Sequence, residues 1–321
     1  MKDIADFEPE LTADGSLTFY SAEFGETFHS RQGARQEAEL KFVEPTQLRQ
    51  KAQQKPSVRL LDLCYGLGYN TAAALAAIWS VNPGCRVELL GLELDPAVPG
   101  AAIHCWRARG KETRVAACSK ASESSFPWSQ PLFNILATLA AQHQIQTEYL
   151  HAQLWIRDAR ISLQHICQTG FLADAIFLDP FSPPRCPQLW TVEFLDLVAR
   201  CLQPTGRLAT YSCAAAVRAA LLATGLSIGS TRPVGRRSPG TVASFDPGYL
   251  SVPSEQEREH LLTRAAVPYR DPTLSDDART ILERRQLEQQ HSQLEPTSHW
   301  KKRWMKSDLS RDRVKHGLIE G

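Results

Sequence analysis

The chain has 321 residues, of which 43% are apolar and 22% charged, and a formal net charge of +1. That length supports one large core or two modest ones, and the composition is that of an ordinary soluble globular protein. A near-zero net charge excludes a polycation that grips nucleic acid nonspecifically, so any such contact must come from a local patch.

No apolar run approaches the roughly 18–20 residues of a membrane span. The start, "MKDIADFEPE", lacks both the apolar stretch of a secretory signal and the Arg/Ser richness of a transit peptide, which places the protein in the cytoplasm with no membrane partner. Eight cysteines, at 64, 85, 105, 118, 167, 186, 201 and 213, are never closer than 12 residues. With no Cys-x-x-Cys and with dispersed histidines, the expectation is reduced thiols, no metal and no disulfide framework.

Residues 1–50 read as an N-terminal extension, a short hairpin ("LTFYSAEFGETFHS") followed by a helix ("GARQEAELKFVEP"). Residues 51–250 read as the main domain. In it, 58–94 is an apolar run, a Gly-containing turn, an Ala/Leu-rich helix, an Asn-Pro-Gly break and a second apolar run ending in acids, which is a β-α-β unit. An insertion over 119–152, with one helix, precedes a third strand at 153–157. Strands at 175–179 and 206–212 follow, with helices near 96–108, 160–168, 191–202 and 214–224. Residues 251–321 form a polar extension with a charged helix near 276–290 and a basic end. Apolar strands alternating with helices predict an α/β, Rossmann-like fold, a mostly parallel doubly wound sheet with an N-terminal hairpin/helix addition. Ligands in such sheets sit at the carboxyl ends of the strands.

Four acids lie at those ends: Asp62, Glu93, Asp158 and Asp179. In "LLDLCYGLGYN" (60–70), Gly66 and Gly68 occupy the turn before a helix, where backbone can approach a ligand and free N–H groups are offered. A dinucleotide fingerprint needs a third glycine where Thr71 stands. The pattern acid-x-Gly-x-Gly-x-Gly of S-adenosylmethionine (SAM) methyltransferases fits at Asp62, Gly66 and Gly68, with Cys64 in place of the first glycine. Asp62, Gly66, Gly68 and Asn70 are therefore candidate cofactor contacts. Glu93 is suited to accept the two ribose hydroxyls of an adenosine. Asp158 is suited to take the exocyclic amine of adenine, or simply to N-cap the next helix.

"DAIFLDPFSPP" (174–184) ends a buried strand on Asp179, and Pro180, Pro183 and Pro184 keep the following residues extended. The result is a stiff lip on which Phe181 could stack against a flat ring while Asp179 accepts hydrogen bonds from an amine. The alternative is a proline-rich connection behind a structural acid.

Over 174–225 the chain resembles the methyltransferase half of the bacterial tRNA 5-methylaminomethyl-2-thiouridine biosynthesis family, MnmC. The matching features are the strand-Leu-Asp loop at Asp179, Pro187 with Trp190 opening a helix, the strand from Gly206 to Ser212, and the helix from Val217 to Gly225. "HSRQGARQEA" (29–38) is similar to the family's N-terminal Tyr-Ser…Gly…Glu segment. The resemblance implies a class I SAM-dependent methyltransferase that converts 5-aminomethyl-(2-thio)uridine to 5-methylaminomethyl-(2-thio)uridine at the tRNA wobble position, with SAM as cofactor and tRNA as partner. It makes Asp179 the catalytic residue that positions the nitrogen, and Phe181, Pro183, Arg185, Trp190, Arg236 and Arg237 the substrate contacts. Arg218, Arg232 and the basic segment 298–316, with Trp300 and Trp304, are further candidate RNA contacts. The family's two-domain members add a flavin-dependent oxidoreductase, for which this sequence offers no second Gly-rich strand-turn-helix, so a separate enzyme is expected to supply the aminomethyl group. "VGRRSPGTVAS" (234–244) departs from the family's Gly-Arg-Lys-Arg element after its first two residues. A small-amine N-methyltransferase and a catalytically silent RNA-binding module on the same fold stay open as alternatives.

Overall fold

The structure, a computed structural model, describes residues 7–116, 126–234, 238–248 and 250–305. Three short strands open it, β1 (Pro9–Leu11), β2 (Leu17–Ser21) and β3 (Glu26–Thr27), paired antiparallel in a small sheet of their own. Helix α1 (Ala34–Glu37) then runs without a break into a π-helical turn (Ala38–Val43), followed by α2 (Glu44–Thr46) and α3 (Leu48–Gln54).

The alternating part follows: β4 (Ser57–Leu63), α4 (Tyr69–Val81), β5 (Arg86–Glu93), α5 (Ala97–Ala116), α6 (Gln130–Gln142), β6 (Gln144–Gln146), β7 (Leu150–Ile156), α7 (Ala159–Thr169), β8 (Ala173–Leu178), a 3-10 turn (Pro187–Trp190), α8 (Val192–Arg200), β9 (Leu202–Thr210) and α9 (Ala215–Ala223). A hairpin of β10 (Ser227–Ser230) and β11 (Thr241–Ser244) and helices α10 (Glu255–His260) and α11 (Ala278–His291) complete it.

The main sheet has the order β10-β11-β9-β8-β4-β5-β7-β6. Its five central strands, β9, β8, β4, β5 and β7, pair parallel, while β6, β11 and β10 are antiparallel at the edges. The edge strands β6, β10 and β11 were not anticipated from the sequence, and β7 begins at Leu150, inside the expected insertion. Side-chain alternation divides the interior into two cores. Val58 and Leu60 of β4 pack with Val87, Leu89, Ala175 and Phe177 against the face covered by the π turn, α3, α4, α5 and α6. Leu61 and Leu63 pack with Leu90, Leu92, Ile176 and Leu178 against the face covered by α7, α8, α9 and α11. Each fully buried leucine in such a strand contributes about 1.5–3 kcal/mol relative to exposure, so a charge at Leu61, with no exposed surface, would undo the register that delivers the site.

The C-terminal segment packs on this domain. Ile281 of α11 is fully buried in the second core, Thr191 bridges Tyr269, and Arg160 Nη1 donates to Asp271 at 3.1 Å and to the Asp276 carbonyl at 2.9 Å. No helix among the described residues is long and apolar enough to cross a membrane.

The chain runs outward from β4 through β5 to β7 and then returns to place β8 on the other side of β4. The reversal leaves a crevice at the carboxyl ends of β4 and β8, where α/β sheets take their ligands.

Candidate active site

A cavity of about 520 Å³ fills that crevice, within the usual range for small-molecule sites. Its floor is the carboxyl ends of the central strands: Cys64 and Gly66 after β4, Glu93 as the last residue of β5 with Asp95 just beyond, Asp158 after β7 and Asp179 after β8. Its roof is the N-terminal extension, through Phe24, Glu26, Phe28, His29, Glu37 and Lys41.

The turn after β4 explains the glycine pattern. Cys64, at φ 67°, Gly66, at φ 56°, and Gly68, at φ 85°, all lie in the left-handed region. A Cβ on Gly68 would sit 2.7 Å from the Tyr65 hydroxyl, so only glycine fits there. Gly68 caps α4 and Gly66 faces the cavity. Cys64 thus occupies, with strain, the position where the family pattern has its first glycine.

Glu93 binds this turn to the sheet. Its Oε2 accepts the Gly66 N–H at 2.8 Å, and its Oε1 accepts the N–H groups of Leu94 and Asp95 at 2.8 and 2.9 Å. Burial pushes its pKa up, against the pull of those three backbone donors. Of the about four acceptor positions of a carboxylate, three are taken, so Glu93 retains room for one ribose hydroxyl rather than two.

Asp179 stands across the crevice. Its backbone N–H donates to the Leu63 carbonyl at 3.2 Å, and Asn70 Nδ2 donates to its Oδ2 at 2.9 Å. Burial raises its pKa to about 7; the Asn70 hydrogen bond opposes that, Glu37 adds to it and Lys41 subtracts. At neutral pH both the protonated and the ionised form of this carboxyl are therefore populated. The lip beyond it is firmly held. Trp190 donates its indole N–H to the Phe181 carbonyl at 2.8 Å, Tyr211 donates its hydroxyl to the Pro180 carbonyl at 2.9 Å, and Ser182 donates its backbone N–H to Glu26 at 3.0 Å.

Several sequence expectations need correcting at this level. Asp62 does not reach the cavity. It shares the α4 face with Leu60, is fully buried, and accepts the Thr71 hydroxyl at 2.7 Å, with burial raising its pKa to about 7. Asn70 holds Asp179 instead of lining the cavity. Asp158 lines the cavity but is the N-cap of α7, accepting the Arg160 N–H at 2.8 Å and pairing with the Arg160 guanidinium.

Phe181 lines the cavity, but one face is covered by Phe24, stacked at 4.3 Å and 16°, and Phe28 meets it edge-on at 5.0 Å. Trp190 is fully buried, so it positions the lip and cannot touch a substrate. Pro183 is buried outside the cavity lining, and Arg185 is exposed beside Gly25.

Among the RNA candidates, Arg218 is buried and tied to Glu257 and Thr241, and Arg232 pairs with Glu44. Trp300 is buried and stacked on His260 at 4.4 Å, and Trp304 donates to Glu259 at 2.9 Å. Arg236 and Arg237 lie outside the described residues, as do residues 306–316 of the basic end.

Sequence reasoning missed the roof. His29 and Glu37 fall in the stretch 29–38, marked in sequence by its likeness to the family's N-terminal segment, and Lys41 in a stretch that reads as a helix; none of the three is assigned to the cavity by sequence. Burial holds the His29 imidazole down at about 4, hence uncharged at neutral pH.

A flat, hydroxyl-rich ligand with a charged centre fits this chemistry. The glycine turn lets backbone approach, Glu93 keeps an acceptor free, and Gln188 Oε1 in the lining is buried with no hydrogen-bond partner among the described residues. SAM meets those requirements.

Comparisons with known proteins agree on the family. Residues 123–246 match the family described as S-adenosyl-L-methionine-dependent methyltransferase. The chain is similar to the crystal structure of MnmC2 from Aquifex aeolicus, with a TM-score of 0.74 and 33% identity, covering 89% of this chain and 86% of that one. It is 30% identical over 282 residues to an uncharacterized protein of Methanocaldococcus jannaschii, covering 86% of this chain and 70% of that protein. It is also 30% identical over 240 residues to the tRNA 5-methylaminomethyl-2-thiouridine biosynthesis bifunctional protein MnmC of Paracidovorax citrulli, covering 75% of this chain and 36% of that protein. The match thus spans about a third of the bifunctional relative's length.

Proposed function

This chain belongs to the MnmC-type S-adenosyl-L-methionine-dependent methyltransferases, and from that premise we propose that it methylates the primary amine of 5-aminomethyl-(2-thio)uridine at the wobble position of tRNA. The observation that carries the reading is the pairing of two carboxylates across the crevice. Glu93 is built into the glycine turn on the cofactor side, and Asp179 is held by Asn70 at the β4–β8 switch point on the other.

When bound, SAM supplies an electrophilic sulfonium methyl that an uncharged amine can take. The protein's own part is to hold the two partners in line and to manage a proton. Glu93 and Gly66 fix the cofactor end, and the lip, pinned by Trp190, Tyr211 and Glu26, fixes the acceptor end. Holding reacting atoms in attack geometry supplies several kcal/mol, about 7–11 in the best intramolecular cases. Asp179 orients the amine and takes up the proton or charge it must shed. The substrate is a nucleotide of tRNA, and the proposal places the protein with tRNA in the cytoplasm, with the aminomethyl group supplied by a separate enzyme.

Mass spectrometry of tRNA nucleosides from a strain lacking the gene tests this. The expected result is loss of 5-methylaminomethyl-uridine species with accumulation of the aminomethyl form. Unchanged wobble nucleosides would remove the assignment.

A further inference from the structure

An alkylamine arrives at the site as an ammonium, with a pKa near the ~10.4 of a lysine side chain, and an ammonium has no lone pair to give. Asp179 alone makes this worse, because a carboxylate beside the nitrogen favours its charged form. A second carboxylate, Glu37, lines the same cavity. Two anions and no cation would trap the substrate in its unreactive state.

The roof contains the remedy. Glu37 closes α1, and Lys41 lies in the π turn that continues it. Lys41 Nζ donates to Glu37 Oε1 at 2.6 Å, and the Ser30 N–H donates to Glu37 Oε2 at 3.1 Å. The two side chains are only 6% and 12% exposed. Stability does not call for such a pair, since well-packed apolar side chains in its place are often neutral or stabilising. π turns are rare and concentrate at functional sites, and this one directs both Lys41 and Phe42 into the cavity wall.

The other titratable groups around the cavity do not substitute for Lys41. The cavity lining holds two other cations, but Arg160 is taken up by Asp158, Asp271 and the Asp276 carbonyl, and Arg157 is exposed at the far rim beyond β7. His29, from the segment before α1, is uncharged at neutral pH because it is buried. Glu93 is committed to the backbone of its turn. Of the remaining lining acids, Glu26 accepts the Ser182 N–H, Asp95 the Ala97 N–H, Asp158 pairs with Arg160, and Glu23 is exposed. Asp62, bound to Thr71 beneath the floor, can only add negative charge.

We propose that Lys41 is a positioning residue that keeps the acceptor amine uncharged: locked onto Glu37 in the cavity wall, its ammonium offsets one of the two carboxylates that would hold an alkylammonium in place. The deprotonation then balances simply. One N–H bond of the ammonium breaks, the proton goes to a carboxylate oxygen of Asp179, and the bonding pair stays on nitrogen as the lone pair. Burial raises Asp179 to about 7, which makes it a stronger base than an ordinary carboxylate, and Lys41 opposes a further rise, so that the ionised, proton-accepting form stays populated at neutral pH.

The inference rests on the amine-methylating reading above, and the test separates the two. Methyl transfer to tRNA carrying 5-aminomethyl-uridine is followed from pH 5.5 to 9.5 for the wild type, Lys41→Met, Lys41→Arg and the double variant Glu37→Gln/Lys41→Met. SAM affinity is measured by calorimetry for each, and the Asp179 carboxyl is titrated by 13C NMR without SAM. Lys41→Met should move the acid limb of kcat/KM up by about one pH unit, a loss of roughly fivefold at pH 7 that approaches tenfold below about pH 6, with SAM affinity within a few-fold and the Asp179 titration shifted upward. Lys41→Arg should keep the wild-type limb. The double variant, which removes anion and cation together, should return the limb to the wild-type position, and it answers the question even if the single variant fails to fold. A Lys41→Met or double-variant profile that is lowered evenly at all pH values overturns the role of Lys41 while leaving the reaction intact. A wild type inactive on this tRNA overturns both.

Discussion

Replacing Glu93 with glutamine tests the cofactor half of the site most sharply, because the side chain keeps its shape and loses one acceptor. The carboxylate now serves three backbone N–H groups, with Leu94 and Asp95 on one oxygen and Gly66 on the other. The glutamine oxygen can keep the pair on Oε1, but its NH₂ then points at the Gly66 N–H, donor against donor. One hydrogen bond to a charged acceptor is lost, about 1.5–3 kcal/mol, or roughly ten- to hundredfold in an equilibrium constant. Gly66 N–H sits in the turn with or without ligand, so part of that loss falls on folding and part on binding. Calorimetric titration of SAM and urea denaturation of the same preparation measure both. SAM affinity and folding stability both equal to wild type would refute the view that Glu93 builds the cofactor end.

Asp179→Asn should retain SAM affinity within a few-fold and lower kcat by about 10²–10⁴. Because the wild-type carboxyl lies above its ordinary value, at about 7, and must be ionised to accept the amine proton, wild-type kcat should rise with pH through that value. The asparagine variant should lack this limb, which rapid-quench rates across pH would show. Gly68→Ala puts a Cβ 2.7 Å from the Tyr65 hydroxyl at a φ of 85°. About 1–2 kcal/mol of left-handed strain plus the clash should lower the urea midpoint and weaken SAM together. Arg218→Met leaves Glu257 without its guanidinium and should cost about 3–5 kcal/mol of stability. At a temperature where it stays folded, its SAM affinity should match the wild type; a large loss would place Arg218 in the site after all.

The parallel core was legible because its strands are continuous apolar runs whose two faces both meet helices, as in "VRLLDL" and "AIFLD". The place of Asp179 in the cavity wall was legible for a related reason, since a carboxylate that ends a buried parallel strand lies at the carboxyl edge of the sheet, and the prolines after it keep the chain extended there. The short antiparallel strands β10 and β11 were not, because four-residue strands carry too little periodicity and owe their existence to pairing with each other and with β9. Parity along β4 already contained a warning about Asp62. Sharing a face with Leu60, it was bound to point at α4 and, one turn into that helix, at Thr71. Trp190 was misjudged because an aromatic beside a lip looks like a stacking surface, whereas its 3-10 turn directs the ring inward. Glu37 and Lys41 look in sequence like an exposed i, i+4 pair on an amphipathic helix. Only the packing of the extension over the crevice, and the local change from α to π geometry, turn them toward the cavity.

The central claim is that this crevice brings a sulfonium methyl to an amine beside Asp179. Incubating the purified protein with methyl-labelled SAM and tRNA bearing 5-aminomethyl-uridine, then locating the label by nucleoside mass spectrometry, tests it directly. The account predicts label on the exocyclic amine nitrogen of the wobble nucleoside for the wild type and almost none for Asp179→Asn. Label on a ring carbon or a ribose oxygen, or equal labelling by both proteins, would contradict it.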